Sequence, residues 1–279
     1  MNIDRVGTIF HESFSYSRKS VSKILQTISE NPSIMDFKQS EREEILLERT
    51  SLGTRYIKAM PKYAIGSGVL HGDYRLTDLG RIALLFDPML DKIGTQWLLH
   101  YHLSAPHGPG PTFWNHIVIN QFYLGNIFSP ENLIEQIGNF VWQHENKVLA
   151  KRSVGSTVTI FLGTYTKPEG LGKLHILEVT ESGRYRVREG ATAPAWALGY
   201  ALLDFWEAQY PGRISVGLNT LHESNFAKLF MIGKADLEAV LRTLQEANYI
   251  EIHRTAQPFQ VVLLRQDREP LLKKLYGAD

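Results

Sequence analysis

The sequence predicts an α+β protein, mainly helical, with winged-helix-like units at its N- and C-terminal parts joined by a helical middle and a β-hairpin. Two observations carry the outer units. Signals for helix, tight turn, helix and short hairpin follow one another through residues 40–80, and a similar order returns through 222–264. A third observation supplies the middle hairpin: two strand-like runs within 173–188, then an apolar helix. Seams are expected at the two breaks rich in Pro and Gly, 105–111 and 210–212, dividing the chain into 1–105, 106–210 and 211–279.

Taken in order, Ser40 and Glu43 stand at capping-box spacing ahead of Ile45, Leu46 and Leu47, which predicts a helix start. A break follows at 50–53, and a second helix runs from Thr54 toward Gly66, with Pro61 inside it expected to kink or shorten it. Val69 and Leu70, a His71-Gly72-Asp73 turn and Tyr74 to Gly80 read as a small hairpin leading into a further helix. On the 54–65 helix, Arg55, Lys58 and Lys62 share one face, while Ile57, Met60 and Ala64 share another. One face suits a core and the other suits phosphates or base edges, so Arg55, Lys58 and Lys62, with Arg75 on the hairpin, are the candidate DNA contacts. A solvated basic face on a protein-binding winged helix is the plainer alternative.

Downstream, 174–179 and 184–188 form a hairpin around Glu181-Ser182-Gly183, followed by an apolar helix from Ala195 to Glu207. Leu237, Val240, Leu241 and Leu244 recur at helical spacing, and 249–253 with 259–264 make a strand pair. Lys234 and Arg242 are offset there by Asp236, Glu238 and Glu246, so this unit is expected to pack on the rest of the protein or on a partner.

The 279 residues include no Cys and carry 30 Lys+Arg against 29 Asp+Glu. Without Cys, a disulfide scaffold, a thiolate metal site and a cysteine nucleophile are excluded. Neither a transmembrane run nor a signal peptide is visible, which leads to the expectation of a cytoplasmic protein. The charges cluster. Residues 51–86 hold five basic and two acidic side chains, 151–188 hold seven basic and three acidic, and between them 101–150 hold one basic and three acidic. Near-neutrality is therefore compatible with local, oriented contact to DNA.

Asp87 and Asp91, four apart beside Pro88, are the candidate Mg²⁺ ligands if a helix puts both carboxylates on one face; helix capping by Asp87 and solvation of Asp91 is the alternative. Four of the ten histidines, His100, His102, His107 and His116, fall within 17 residues. At i, i+2 on a helix, His100 and His102 point to different sides, so a shared metal would require this stretch to be extended. His11 and Glu12 offer an adjacent base and acid. No P-loop, H-E-x-x-H or G-x-S-x-G motif is present.

Certain strings carry a resemblance: Phe10-His11-Glu12-Ser13-Phe14 with Arg18, Leu76-Thr77-Asp78-Leu79-Gly80, and above all Asp87-Pro88-x-Leu90-Asp91 continuing through Thr95 to Trp97-Leu98-Leu99-His100. Phe128-Ser129-x-Glu131-x-Leu133 and Gly199 to Phe205 extend it over almost the whole chain. The chain resembles a bacterial family of formerly unknown function from DNA phosphorothioation and phage-defence clusters, whose characterised branch is the SspB type of DNA nickase. The resemblance implies a metal-dependent nick in double-stranded DNA that opens one strand for sulfur. It also implies a cysteine desulfurase and a sulfur-transfer ATPase as partners. In such a site Asp87 and Asp91 would hold Mg²⁺, and His11, Glu12 or His100 would activate water or protonate the leaving oxygen. Lacking Cys, this chain would not itself carry a persulfide. A non-catalytic winged-helix adaptor that binds DNA and recruits the sulfur-transfer enzymes is the alternative, and a transcriptional regulator a third.

Overall fold

The Ser17 hydroxyl accepts from the Ser20 N–H and so starts α1 (Arg18–Glu30). The structure is a computed structural model and describes residues 6–8, 10–255 and 257–278. A short 3₁₀ turn at Pro32–Asp36 leads to α2 (Gln39–Thr50) and α3 (Thr54–Gly66). The cap of α2 lies two residues before the expected Ser40–Glu43 pair: the Glu41 carboxylate accepts from the Lys38 N–H at 2.8 Å. Ser40 is already helical. α3 runs through Pro61 without ending there, so the expected shortening does not occur. Ile57, Met60 and Ala64 are buried as their spacing predicts.

After α3 the chain makes a hairpin closed by one antiparallel bridge, Leu70 to Leu76. The Arg42 guanidinium lies 4.7 Å from the Tyr74 ring centroid and ties α2 to this hairpin. α4 (Asp78–Phe86) follows, N-capped by the Thr77 hydroxyl. It lies against the hairpin backbone so closely that a Cβ on Gly80 would sit 1.9 Å from the Val69 carbonyl oxygen.

α5 (Ile93–Ser104), α6 (Thr112–Gln121), α7 (Pro130–Glu145) and α8 (Lys151–Thr166) complete the helices of the first unit. β1 (Ile127–Phe128), β2 (Leu177–Val179) and β3 (Tyr185–Val187) form an antiparallel sheet in the order β1-β3-β2. The β2–β3 hairpin was expected; the partner strand β1 was not, because two residues carry no alternation signal. The core is aromatic. Trp114 lies 4.8 Å from Phe161 and 6.4 Å from Tyr63 between ring centroids, and Tyr63 lies 5.2 Å from Tyr16. Burying such rings contributes about 2–3 kcal/mol each before entropy is counted.

The second unit holds α9 (Ala195–Gln209), β4 (Ser215–Gly217), α10 (Leu218–Glu223), α11 (Asn225–Phe230), α12 (Lys234–Glu246), β5 (Ile250–His253), β6 (Gln260–Leu263) and α13 (Glu269–Leu275). Its antiparallel sheet has the order β4-β6-β5. Leu237, Val240, Leu241 and Leu244 form the buried stripe of α12. The protein is thus α+β and mainly helical. No described helix is long and apolar enough to cross a membrane.

The two compact units are Met1–Ala191 and Thr192–Asp279, a division different from the seams expected at 105/106 and 210/211. The Pro-rich stretch is stiff without being a linker: beyond it, Asn115 donates to the Ser104 carbonyl at 2.6 Å, and Phe113 and Trp114 enter the same core. At the other break, the Trp206 indole donates to the Arg213 carbonyl at 2.8 Å and holds the turn inside the second unit.

Gly80→Ala is expected to destabilise the protein by about 3 kcal/mol, because the clash is with backbone that cannot rotate away. Thermal unfolding checks this; an unchanged midpoint would mean that α4 does not sit where described.

Candidate functional site

The expected DNA contacts divide into two kinds. Arg55 and Lys58 project from the first turns of α3, are exposed, and form no ion pair among the described residues. Lys62, at the same face one turn on, pairs with Glu12 at 2.5 Å. Arg75 on the hairpin pairs through Nε with Asp73 at 2.7 Å. Two of the four cations are therefore partly neutralised by neighbours, and two are free to meet phosphate.

The Asp87–Asp91 pair does not share a helical face. Asp87 is the C-cap of α4, outside the helical conformation, and α5 begins only at Ile93. Its carboxylate, nearly buried, accepts from the Asp91 N–H and the Lys92 N–H at 2.9 Å each and from the Thr95 hydroxyl at 2.6 Å. It thereby holds the turn that leads into α5 and lies ahead of that helix's N-terminus, where negative charge is favoured. Asp91 turns the other way. Arg18 Nη1 donates to its Oδ1 at 2.8 Å, and Lys173 donates to its Oδ2. The hydrogen bond from Lys173, together with the Arg18 charge, holds the Asp91 carboxyl below the usual carboxylate value. An Mg²⁺ ion needs several oxygen ligands with vacant lone pairs. Here three donors occupy one carboxylate and two cations flank the other, so this pair does not fit the ion. Among the described residues, no group of three or more His, Asp or Glu is arranged to hold a metal.

The catalytic candidates are likewise engaged. The His11 Nδ1 accepts from the Ser13 N–H at 3.0 Å, so Nε2 carries the proton and faces the Thr157 hydroxyl at 3.2 Å. Burial pushes this imidazole down to about 4, partly offset by the Thr8 carbonyl and the Glu12 charge. It is neutral at pH 7 with its lone pair already used. Glu12 and Ser13 follow at φ of 45° and 69°, a left-handed turn that aims the Glu12 carboxylate at Lys62. His100 is fully buried. Its Nδ1 lies 2.8 Å from the Tyr165 hydroxyl, which also accepts from the Trp114 indole at 2.8 Å, and its ring stacks on Phe122. In this arrangement His100 packs within the aromatic core, away from the surface where a DNA phosphate would lie. The structure brings Glu12 to Lys62, and Asp87 to the backbone of Asp91; among the described residues it does not bring His11, Glu12, Asp87, Asp91 and His100 to one point.

Sequence reasoning missed Lys173 and Thr95 as partners of the two aspartates. Thr95 had a signal, since it stands in the same string as Asp87; Lys173, 82 residues from Asp91, had none. Also missed was a cavity of about 700 Å³ lined by the 13–17 segment, Tyr56 of α3, Thr159 and Ile160 of α8, and Lys167 and Glu169 beyond it.

Two outcomes follow from this geometry. Asp87→Ala removes the acceptor of three donors, one of them the buried Thr95 hydroxyl, and is expected to cost about 2–4 kcal/mol in metal-free buffer. A wild-type midpoint that rises with Mg²⁺, and a variant midpoint that does not, would instead assign Asp87 to a metal. The His11 imidazole titrates near 6.5 when unfolded and at about 4 when folded. The unfolded chain therefore binds the proton first, and stability falls as pH drops from about 6.5 to about 4, by on the order of 3 kcal/mol. Above that window the group contributes no pH dependence. Denaturant unfolding across pH 4–7 should show a flatter acid limb for His11→Gln than for the wild type.

Two solved structures share the fold. A magnesium ion-bound SspB crystal structure matches with a TM-score of 0.75 at 19% identity, covering 96% of this chain and 87% of that one. An SspB crystal structure matches with a TM-score of 0.74 at 17% identity, with coverage of 96% and 87%. No curated protein matches the chain. Residues 10–276 match the family described as Protein of unknown function (DUF4007), and the chain belongs to that family.

Proposed function

We propose that this protein binds double-stranded DNA as a component of a phosphorothioation-based phage-defence system, and that α3 with the following hairpin acts as a winged-helix reading unit. The observation that carries this is the α3 face. Arg55 and Lys58 are exposed and unpaired among the described residues, while Ile57, Met60 and Ala64 anchor the opposite side. Cations already bridged to carboxylates gain little from a phosphate, whereas free ones release the counterions of DNA and so drive binding. The fold shared with SspB and the strings quoted above support the defence context. In that context the partners are a cysteine desulfurase and a sulfur-transfer ATPase, and the chain acts as the adaptor that presents DNA to them.

A second reading, Mg²⁺-dependent nicking of one strand, is supported by one specific observation, the likeness to a magnesium ion-bound SspB structure. In that reading the ion does not sit on Asp87 and Asp91 in the arrangement described.

Fluorescence anisotropy with labelled duplex tests the first reading. Arg55→Glu with Lys58→Glu is expected to weaken binding by about 10- to 100-fold at moderate salt, and the wild-type affinity to fall steeply as salt rises. Equal affinity of variant and wild type would remove α3 from the interface. Incubating supercoiled plasmid with wild type and Mg²⁺ separates the two readings: intact plasmid favours the adaptor, and nicked circles favour the nickase.

A further inference from the structure

We infer that the cavity beside α3 receives a single unstacked nucleotide of the DNA bound there. The inference rests on the DNA-binding reading above and adds a site to it. The cavity measures about 700 Å³, within the range of sites that enclose a small ligand and ample for one nucleotide. Tyr56 of α3 lines it, about 100° round the helix from Arg55, so the cavity flanks the proposed DNA-binding face.

Its lining suits a nucleotide at both ends. Phe14 and Tyr56 stand with ring centroids 4.4 Å apart, tilted at 44°, and both border the cavity. Half-exposed aromatic rings at a polar cavity are platforms for a base, and a base leaving the stack needs such a surface to offset its lost neighbours. The rest is polar. The Ser13 and Ser15 hydroxyls and the Lys167 ammonium have no hydrogen-bond or ionic partner among the described residues. They can donate to a phosphate or sugar oxygen. Glu169, also on the lining, supplies an acceptor for the amino or ring N–H of a base.

The polar wall is built into the helix packing. A Cβ on Gly163 of α8 would lie 2.6 Å from the Ser15 Oγ and 3.4 Å from the Lys167 Cε, so the missing side chain is what lets both groups lie against α8 at the cavity wall. The left-handed Glu12–Ser13 turn next to the lining segment pairs Glu12 with Lys62, and Lys167 is the cation among the lining residues. The same chemistry would also suit a free mononucleotide; the position beside α3 favours the bound strand as the source.

The test compares a fully paired duplex with the same duplex carrying one bulged nucleotide, in fluorescence anisotropy, for wild type, Tyr56→Ala and Lys167→Ala, with circular dichroism as the control for folding. Wild type is expected to prefer the bulged duplex by about tenfold, since the unstacking is already done. In each variant the bulged-to-paired ratio should fall toward about one. Equal wild-type affinity for both duplexes, or an undiminished preference in both variants, overturns the inference while leaving DNA binding intact. Binding to neither duplex overturns the DNA-binding reading and this inference with it. Calorimetric binding of free deoxyadenosine monophosphate that depends on Tyr56, without any bulge preference, would assign the cavity to a free nucleotide and overturn the strand as its source.

Discussion

The first unit depends on one buried guanidinium. Arg18, in the first turn of α1, donates to the Asp91 carboxylate, to the Leu90 carbonyl at 3.4 Å and to the Pro168 carbonyl at 2.5 Å. Three segments far apart in sequence meet on this one charge: the start of α1, the turn between α4 and α5, and the loop after α8. A buried charge without partners would be costly, so its burial specifies the arrangement of all three. The Asp87 carboxylate holds the same turn from the other side through the Asp91 and Lys92 N–H groups, and α5, which follows it, carries Trp97 and His100 into the aromatic core.

This arrangement explains what the polar residues of the most specific string, Asp87 to His100, do in the fold: each meets a neighbour within the first unit. Asp87, Thr95 and His100 are each committed to a neighbour within the unit. Asp91 spends its charge on Arg18 and Lys173. Chemistry on a phosphate needs groups with open valence facing solvent or substrate. Among the described residues, exposed cations outside any ion pair include Arg55 and Lys58 on α3 and Lys167 at the cavity wall, and also Lys151 and Arg152 at the start of α8. The charge islands read along the chain therefore resolve into neutralised cations, such as Lys62, Arg75 and Arg188, and free ones.

Much of the fold was legible. The helix over 54–66, the stripe on α12, the 177–187 hairpin and the C-terminal strand pair all follow from periodicities set by residues within one or two turns of each other. Local punctuation was less reliable. The Ser40–Glu43 spacing marked the right helix but the wrong cap, because the Glu41 carboxylate reached the Lys38 N–H first. Pro61 sat in a helix whose buried face outweighed one lost hydrogen bond. The Pro-rich stretch at 105–111 looked like a seam, and tertiary contacts from Asn115 and Trp114 closed it into the first unit.

The sequence by itself determined the helical period, the cationic and apolar faces of α3 and the absence of thiol chemistry, because each is a property of residue type and near spacing. Only the tertiary structure decided which charges are free. Asp91 meets Lys173 across 82 positions and Arg18 across 73, and Phe14 meets Tyr56 where the N-terminal segment crosses α3. Such pairings depend on where helices pack, and packing is the collective outcome of burying one shared core, which no local spacing encodes.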